Sequence, residues 1–384
     1  MDTPFIYDKY VTGKNFIGRK EDCIVLSNLL SAGESVAIYE PPKTGKKSLL
    51  QQTLFNMRIG GKRFGAALVS LGNIRNAEAF AVKFCSSLIR SVATTPDEYE
   101  EIFLACFKDT RISFDRKRYA ELDELAKIDG PLAESDIKAL LMLPEALSDK
   151  LGFPIYIALE EFQNICRLDD NGLTLKLLSE YVLRKKDKSK VSYIFMGSKL
   201  NAMKELFEQK KIFGGSVERL PLHKASQREI IDHITKGFST SGKAVTGSDL
   251  LPGMCNLFRN NLWHINHLIY ITDSLSKGYI NEGTFMDALG SLVSIHEPAF
   301  RSLTDELTTF QLRLLKALLD GHKKFSVSEV IDKYGLNSSA NVKRLKDALM
   351  KKEVIAYTEK DEPYIIDPLY EYWLRKHFFE KNKV

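Results

Sequence analysis

Between Tyr39 and Leu50 the sequence reads YEPPKTGKKSLL, and several of its residues are of types that hold phosphate. Gly45 and Lys46 stand in register with the second glycine and the lysine of the pattern G-x-x-x-x-G-K-[ST], with Lys43 and Thr44 in the turn before them. In that pattern backbone N–H groups and a helix N-terminus cradle the phosphates, and the lysine neutralises the β/γ oxygens. The first-glycine position holds Glu40, and the Ser/Thr position holds Lys47. An ammonium cannot ligate a cation, so Mg²⁺ loses its hydroxyl ligand. Ser48 is next along, but one step on a helix turns a side chain by about 100°, which makes it a weak metal ligand. Pro41 and Pro42 stiffen the turn and remove two N–H donors. Lys47 partly replaces the metal's charge, a change that favours binding without rapid turnover.

A second constellation lies downstream. IYIALEEFQ is an apolar run followed by an acidic pair, the form of a Walker B strand. Glu160 takes the position of the aspartate that holds a Mg²⁺-bound water. Glu161 takes that of the glutamate that polarises the attacking water. Taken alone, PPKTGKKS is a basic loop at a helix start, and an EE pair is a solvated strand rim. The two together favour a nucleotide site.

Elements to carry these residues are visible in the pattern. Runs of strand length recur at SVAIY (35–39), FGAALVSL (64–71), PIYIALEEF (154–162), VSYIFMGS (191–198) and SVERLPL (216–222). Near-continuous apolar strands separated by helices predict an α/β fold with a parallel sheet covered on both faces. LLQQTLFNMR (49–58) has the spacing of a helix that begins at the loop. Residues from about Thr95 to Leu151 read as polar and helical, with a cap near Ser135. After His223 strand signals stop and short helices follow. From about Thr308 three helices precede VIAYTEKDEPYIID, which alternates like a hairpin; three helices and a hairpin make a winged helix. The expected division is a nucleotide-binding α/β domain over 1–223, a helical lid over 224–300 and a winged helix over 301–384.

Composition sets the class. The 384 residues, 44% apolar and 27% charged, suit two or three ordinary globular domains. No apolar run approaches the ~20 residues that span a bilayer, so no membrane partner is expected. The five cysteines are scattered without a CxxC pair, which reads as reduced thiols in a cytoplasmic protein. A net charge of +5 is mild and does not by itself argue for nucleic acid.

The sequence resembles the archaeal-type predicted ATPases, STAND-like relatives of AAA+ proteins, over nearly its whole length. FIGRKEDCIVL (16–26) matches the family's F-x-G-R-x-x-E/D segment, ALEEFQ its D-E-F-Q, FMGSKLNAM its G-S-x-x-x-M strand, and YIIDPLYEYWLRKHF (364–378) its D-P-[LF]-x-x-[FY]-W close. NNLWHINHL (260–268) resembles a lid-helix segment, with Leu262 where the family has proline. The resemblance implies an ASCE/AAA+-like P-loop NTPase parallel sheet, a lid and a C-terminal winged helix working as a nucleotide-dependent switch. It implies ATP or ADP as ligand, base contacts from Phe16, Ile17 and Arg19, and a γ-phosphate sensor at Ser198. Arg219 is a phosphate-sensing arginine or one half of a surface ion pair. The departures at Glu40, Lys47, Glu160 and Leu262 predict weak or absent hydrolysis and a weakened Mg²⁺ site. The switch implies a protein partner met through lid and winged helix.

Two other readings stand beside this one. The third winged-helix helix carries Lys343, Arg344 and Lys346, which would suit a DNA groove. The same residues are also the ordinary solvated face of an amphipathic helix, and the acid-containing tip TEKDEP does not suit phosphate. Alternatively, the chain is a scaffold that no longer sees nucleotide. His264 and His267, on an apolar helical stretch with Trp263, read as packing residues.

Overall fold

Each of the five apolar runs forms a strand, and together they pair in parallel as one sheet. A computed structural model describes residues 5–184 and 190–380. The chain divides into two units. The sheet unit holds Lys20–Glu40 and Gln52–Leu222. The helical unit holds the N-terminal residues through Arg19, Pro41–Gln51, and the chain from His223 onward.

In chain order the sheet unit contains α1 (Lys20–Ser31), β1 (Ser35–Tyr39), most of α2 (Lys46–Ile59), β2 (Gly65–Ser70), α3 (Ala77–Arg90) and α4 (Pro96–Cys106). It continues with β3 (Ile112–Phe114), α5 (Arg116–Leu122), β4 (Ala126–Ile128), α6 (Glu134–Leu151), β5 (Ile155–Glu160), α7 (Leu173–Leu183), β6 (Val191–Gly197), α8 (Leu200–Lys204) and β7 (Val217–Arg219). The sheet order is β2-β5-β6-β1-β7. β1 and β6 are buried at every position, as strands covered on both faces must be. Register sets Tyr39 opposite Gly197 and Glu160 opposite Met196. Residues just past β5 and β6 therefore emerge side by side at the carboxyl edge, where open α/β sheets bind ligands.

Two expectations for this unit need correction. The stretch from Thr95 to Leu151 is not wholly helical: β3 and β4 pair antiparallel within it. Helix α6 is not capped at Ser135. Its N-cap position is Ala133, whose N–H is bound by the Asp136 carboxylate at 2.7 Å. Three-residue strands are too short to show alternation, and at the start of α6 the carboxylate three residues on binds the N-cap N–H, with no hydroxyl at the N-cap to mark it.

The helical unit contains α9 (Gln227–Thr240), β8 (Ala244–Val245), α10 (Leu250–Leu257), α11 (Leu262–Leu275), β9 (Tyr279–Ile280) and α12 (Glu282–Asp305). Then come α13 (Thr309–Leu319), α14 (Ser328–Tyr334), α15 (Ser339–Lys351), β10 (Ile355–Tyr357), β11 (Pro363–Ile365) and α16 (Pro368–Trp373). Strands do not stop at His223, since β8 and β9 form a two-residue parallel ladder. α13 to α15 with the antiparallel β10–β11 hairpin give the expected winged-helix arrangement. One apolar core runs from Phe5 through α9 to α12 and into the winged helix as far as Phe379, and α12 passes unbroken from Glu282 to Asp305. Among the described residues no helix is long and apolar enough to cross a membrane.

Candidate functional site

The loop after β1 reaches α2 through Gly45, at φ +86°, a conformation that residues with a Cβ resist. Space imposes the same choice: a Cβ there would lie 2.8 Å from Arg19 Nη1. Arg19 binds this turn to the chain on either side, donating from Nη1 to the Thr44 carbonyl and from Nε to the His223 carbonyl, each at 2.6 Å. Lys46 is nearly buried, and its ammonium folds back into the loop, 2.8 Å from the Pro41 carbonyl. The Thr44 hydroxyl donates to that same carbonyl at 2.8 Å. Pro41 lacks an N–H, yet its C=O is the point on which the loop closes. The first turn of α2 holds Lys46 and Lys47 and no acidic residue, so both dipole and side chains favour an anion there.

The metal side of the loop is different. Lys47 lies 5.8 Å from the centre of the Tyr10 ring. The Ser48 hydroxyl accepts the Val11 N–H at 3.1 Å, which ties the N-terminal segment to α2. Among the described residues no three His, Cys, Asp or Glu side chains gather in a cation-holding group. Mg²⁺ asks for near-octahedral oxygen ligands, and the loop's two hydroxyls, of Thr44 and Ser48, are both already in use. The residues present fit a nucleotide's phosphates better than they fit the metal.

Lys43, expected with Thr44 among the nucleotide-binding residues of the loop, has a partner on the lid. At φ +63° it places its ammonium 3.6 Å from the centroid of Trp263, near the start of α11. Loss of hydration there lowers the ammonium's pKa, and the charge of Asp367 opposes the shift. His264, on the same turn of α11, meets Asp367 at 3.1 Å, and the Asp367 carboxylate also caps α16 through the N–H groups of Leu369 and Tyr370. Burial pushes the Asp367 carboxyl up. The His264 hydrogen bond and charge and the two N–H donors outweigh it and hold the group below its ordinary range. His264 and His267 are buried, as expected of packing residues, with His267 stacked on Tyr7 at 3.9 Å. Lys43 and Trp263 are too far apart in sequence for spacing to pair them.

In the sheet unit, Glu160 ends β5 and Glu161 follows at φ +54°, an uncommon conformation for a side-chain-bearing residue. One oxygen of Glu161, Oε2, accepts the Ser198 hydroxyl at 2.5 Å and the Gln163 amide at 2.6 Å. Ser198, just past β6, thus meets Glu161, just past β5. Gln163 was visible only as the last letter of LEEFQ. Arg219 sits 3.1 Å from Glu208, which also accepts the Tyr39 hydroxyl at 2.7 Å. Its guanidinium lies 4.8 Å from the Tyr39 ring centre.

Of the remaining candidates, Phe16 is half-buried and its N–H closes a turn on the Gly13 carbonyl at 3.1 Å. Ile17 packs against the core of the helical unit. On α15, Lys343 and Arg344 are exposed, whereas the Lys346 ammonium lies 4.8 Å from the Tyr357 ring centre.

A parallel sheet with a phosphate-type loop after β1, an acidic pair after β5, and β6 between those strands defines the AAA+-related P-loop NTPase fold. Here it carries a helical region and a winged helix. A family model described as a probable winged helix domain matches residues 298–376. Among solved structures, the chain is similar to the Walker-type ATPase PABY2304 of Pyrococcus abyssi, with TM-score 0.68 and 15% identity over 97% of this chain and 99% of that one. It is also similar to the ORC2 protein of Aeropyrum pernix in ADPNP–ADP complexes, with TM-score 0.55 and 15% identity over 97% and 98% of the two chains. At such identities the likeness is one of fold. A search of curated protein sequences gave no match.

Proposed function

We propose that the chain binds ATP or ADP through the loop 43–48 and acts as a nucleotide-dependent switch of the STAND type, with slow or absent hydrolysis. The observation that carries this reading is the loop itself. Gly45 is required by both φ and space, and the Lys46 ammonium closes on the loop's own carbonyl at the N-terminus of a 14-residue helix. Incoming phosphate oxygens would replace the Pro41 carbonyl as the partner of Lys46. The metal side supports slow turnover, since Lys47 brings charge without a ligand atom and Glu160 is a methylene longer than the usual aspartate. Phe16, Ile17 and Arg19 would line the base side, with Glu161 as the residue that polarises water. The contact of Lys43 with Trp263, and of His264 with Asp367, gives the loop a route to the lid and winged helix, where a protein partner would read the nucleotide state. We take the divisions 1–223, 224–300 and 301–384 as the working parts of this switch, and the cytoplasm, on cysteines scattered without a CxxC pair, as its site.

The test is calorimetric titration of the full chain with ATP and ADP, with and without Mg²⁺, beside Lys46→Ala. Binding that needs Lys46 and little Mg²⁺ is expected. No heat and no thermal shift in either protein would overturn the reading. Exposed Lys343 and Arg344 favour a second one, a regulatory DNA-binding winged helix. It would show instead as binding of duplex DNA that falls steeply with salt and ignores Lys46.

A further inference from the structure

Trp263, near the start of α11, has three imidazoles around it. The ring centres of His264, His267 and His296 lie 5.0, 5.2 and 5.5 Å from its own, and His267 and His296 stand 5.5 Å apart. The Lys43 ammonium sits 3.6 Å from the centroid of the same indole. All five residues belong to the helical unit. Each imidazole keeps one buried ring nitrogen without a partner: Nδ1 of His264, Nδ1 of His267 and Nε2 of His296. A neutral imidazole leaves a single polar atom unmet there, whereas an imidazolium adds a full charge and a donor on both nitrogens.

Negative charge to meet such a proton is scarce. Asp367 is held by His264 at 3.1 Å and by the N–H groups of Leu369 and Tyr370. On α12, Glu297 follows His296 in sequence, but its carboxylate binds Arg301 and the Trp373 indole N–H. From the N-terminal segment, His267 meets the face of the Tyr7 ring, whose hydroxyl is kept uncharged by burial, Tyr270 and Asp8. Arg259, within reach of the Asp367 charge, is paired with Glu371.

We propose that His267 and His296 form a proton-operated release for Lys43: a proton taken up by the pair drives the ammonium off Trp263 and unties the loop 41–51 from α11. Two cations at one indole repel, and Lys43 is the one able to leave. Its side chain is exposed and hangs from a loop, and an exposed cation–π contact is weak. Both imidazoles are set in helices, and His267 is stacked on Tyr7. Burial, then His296, Lys43 and His264, bring the pKa of His267 to about 4. Burial, Lys43 and His264 depress that of His296, against Asp367. Lys43 is thus one of the charges that oppose the proton, and linkage is reciprocal: the proton opposes Lys43 at Trp263. Release is expected as pH falls from the ordinary histidine value of about 6.5 towards 4. The inference stands whether or not the loop takes nucleotide.

The experiment is an NMR titration of the full chain labelled with ¹³C at the lysine ε-carbons, with the Lys43 resonance assigned by its absence in Lys43→Met. At neutral pH the Trp263 ring current should displace that resonance from the other lysines. On acidification the displacement should be lost while the far-UV circular dichroism is still that of the folded chain. In His267→Gln combined with His296→Gln it should persist over the same range. A resonance that is never displaced, one that stays displaced until the chain unfolds, or a release with the same midpoint in the double variant would each overturn the inference. If the double variant does not fold, the reciprocal measurement decides. In Lys43→Met the C2–H resonances of His267 and His296 should titrate at higher pH than in wild type, and unchanged midpoints would overturn the proposal.

Discussion

Gly45 answers to two constraints that act through different atoms. Its φ of +86° costs an L-residue roughly 1–2 kcal/mol, and the Arg19 guanidinium occupies the space that a methyl would need. Gly45→Ala should therefore lower stability by about that amount and cost nucleotide affinity as well, because Arg19 must move off the Thr44 carbonyl. Thermal unfolding and ATP titration of the variant check both effects; an alanine protein with unchanged melting and binding would contradict the geometry. At this scale Gly45, Lys46 and the acidic pair were legible, because each occupies a fixed place in a local pattern. Their partners were not. Ser48 bound by Val11, Lys43 on Trp263 and Glu161 under Gln163 and Ser198 depend on which chain segments meet, and spacing carries no record of that.

Among the elements, the longer ones announced themselves. Helix α13 opens on a capping box in which Thr308 and Gln311 each bind the other's backbone N–H, at 3.3 and 2.9 Å. Thr308→Ala should cost about 1 kcal/mol. The chain's two tryptophans, Trp263 and Trp373, both lie in the helical unit, so tryptophan fluorescence in a urea titration reports that unit directly. An unmoved midpoint would mean that the cap is dispensable. The elements that escaped the sequence are β3, β4, β8 and β9, all of two or three residues. A period of two needs several residues to declare itself, and these ladders are held by neighbours distant in sequence. The cap of α6 escaped for a related reason: the group that satisfies it comes from inside the helix.

Over the whole molecule, ionisable groups are unevenly placed. His233, His267 and His296 all belong to the helical unit, and burial depresses the pKa of each. For His267, burial and then His296, Lys43 and His264 bring it to about 4. A histidine depressed in the folded state binds fewer protons there than in the unfolded chain between its two pKa values. Stability therefore rises with pH across that window and is lost as pH falls from about 6.5 towards 4. Asp367, held low in the fold, acts in the same direction further down. The tryptophan-monitored midpoint should fall on acidification from pH 7 to pH 5; a flat profile would show that the imidazoles are solvated. The fold class, with its sheet, helical region and winged helix, was legible from strand runs and motifs. The assignment of Pro41–Gln51 to the helical unit was not, since that loop leaves a strand of the sheet unit. This interleaving gives the chain an order of assembly. During synthesis the last residue of the sheet unit, Leu222, is made well before the helical unit is complete. The loop that carries Lys46 is translated early, soon after its partners Val11 and Arg19, whereas Trp263, on which Lys43 rests, follows only after Leu222. A nascent chain thus holds every strand of its sheet before the contact between Lys43 and Trp263 can form.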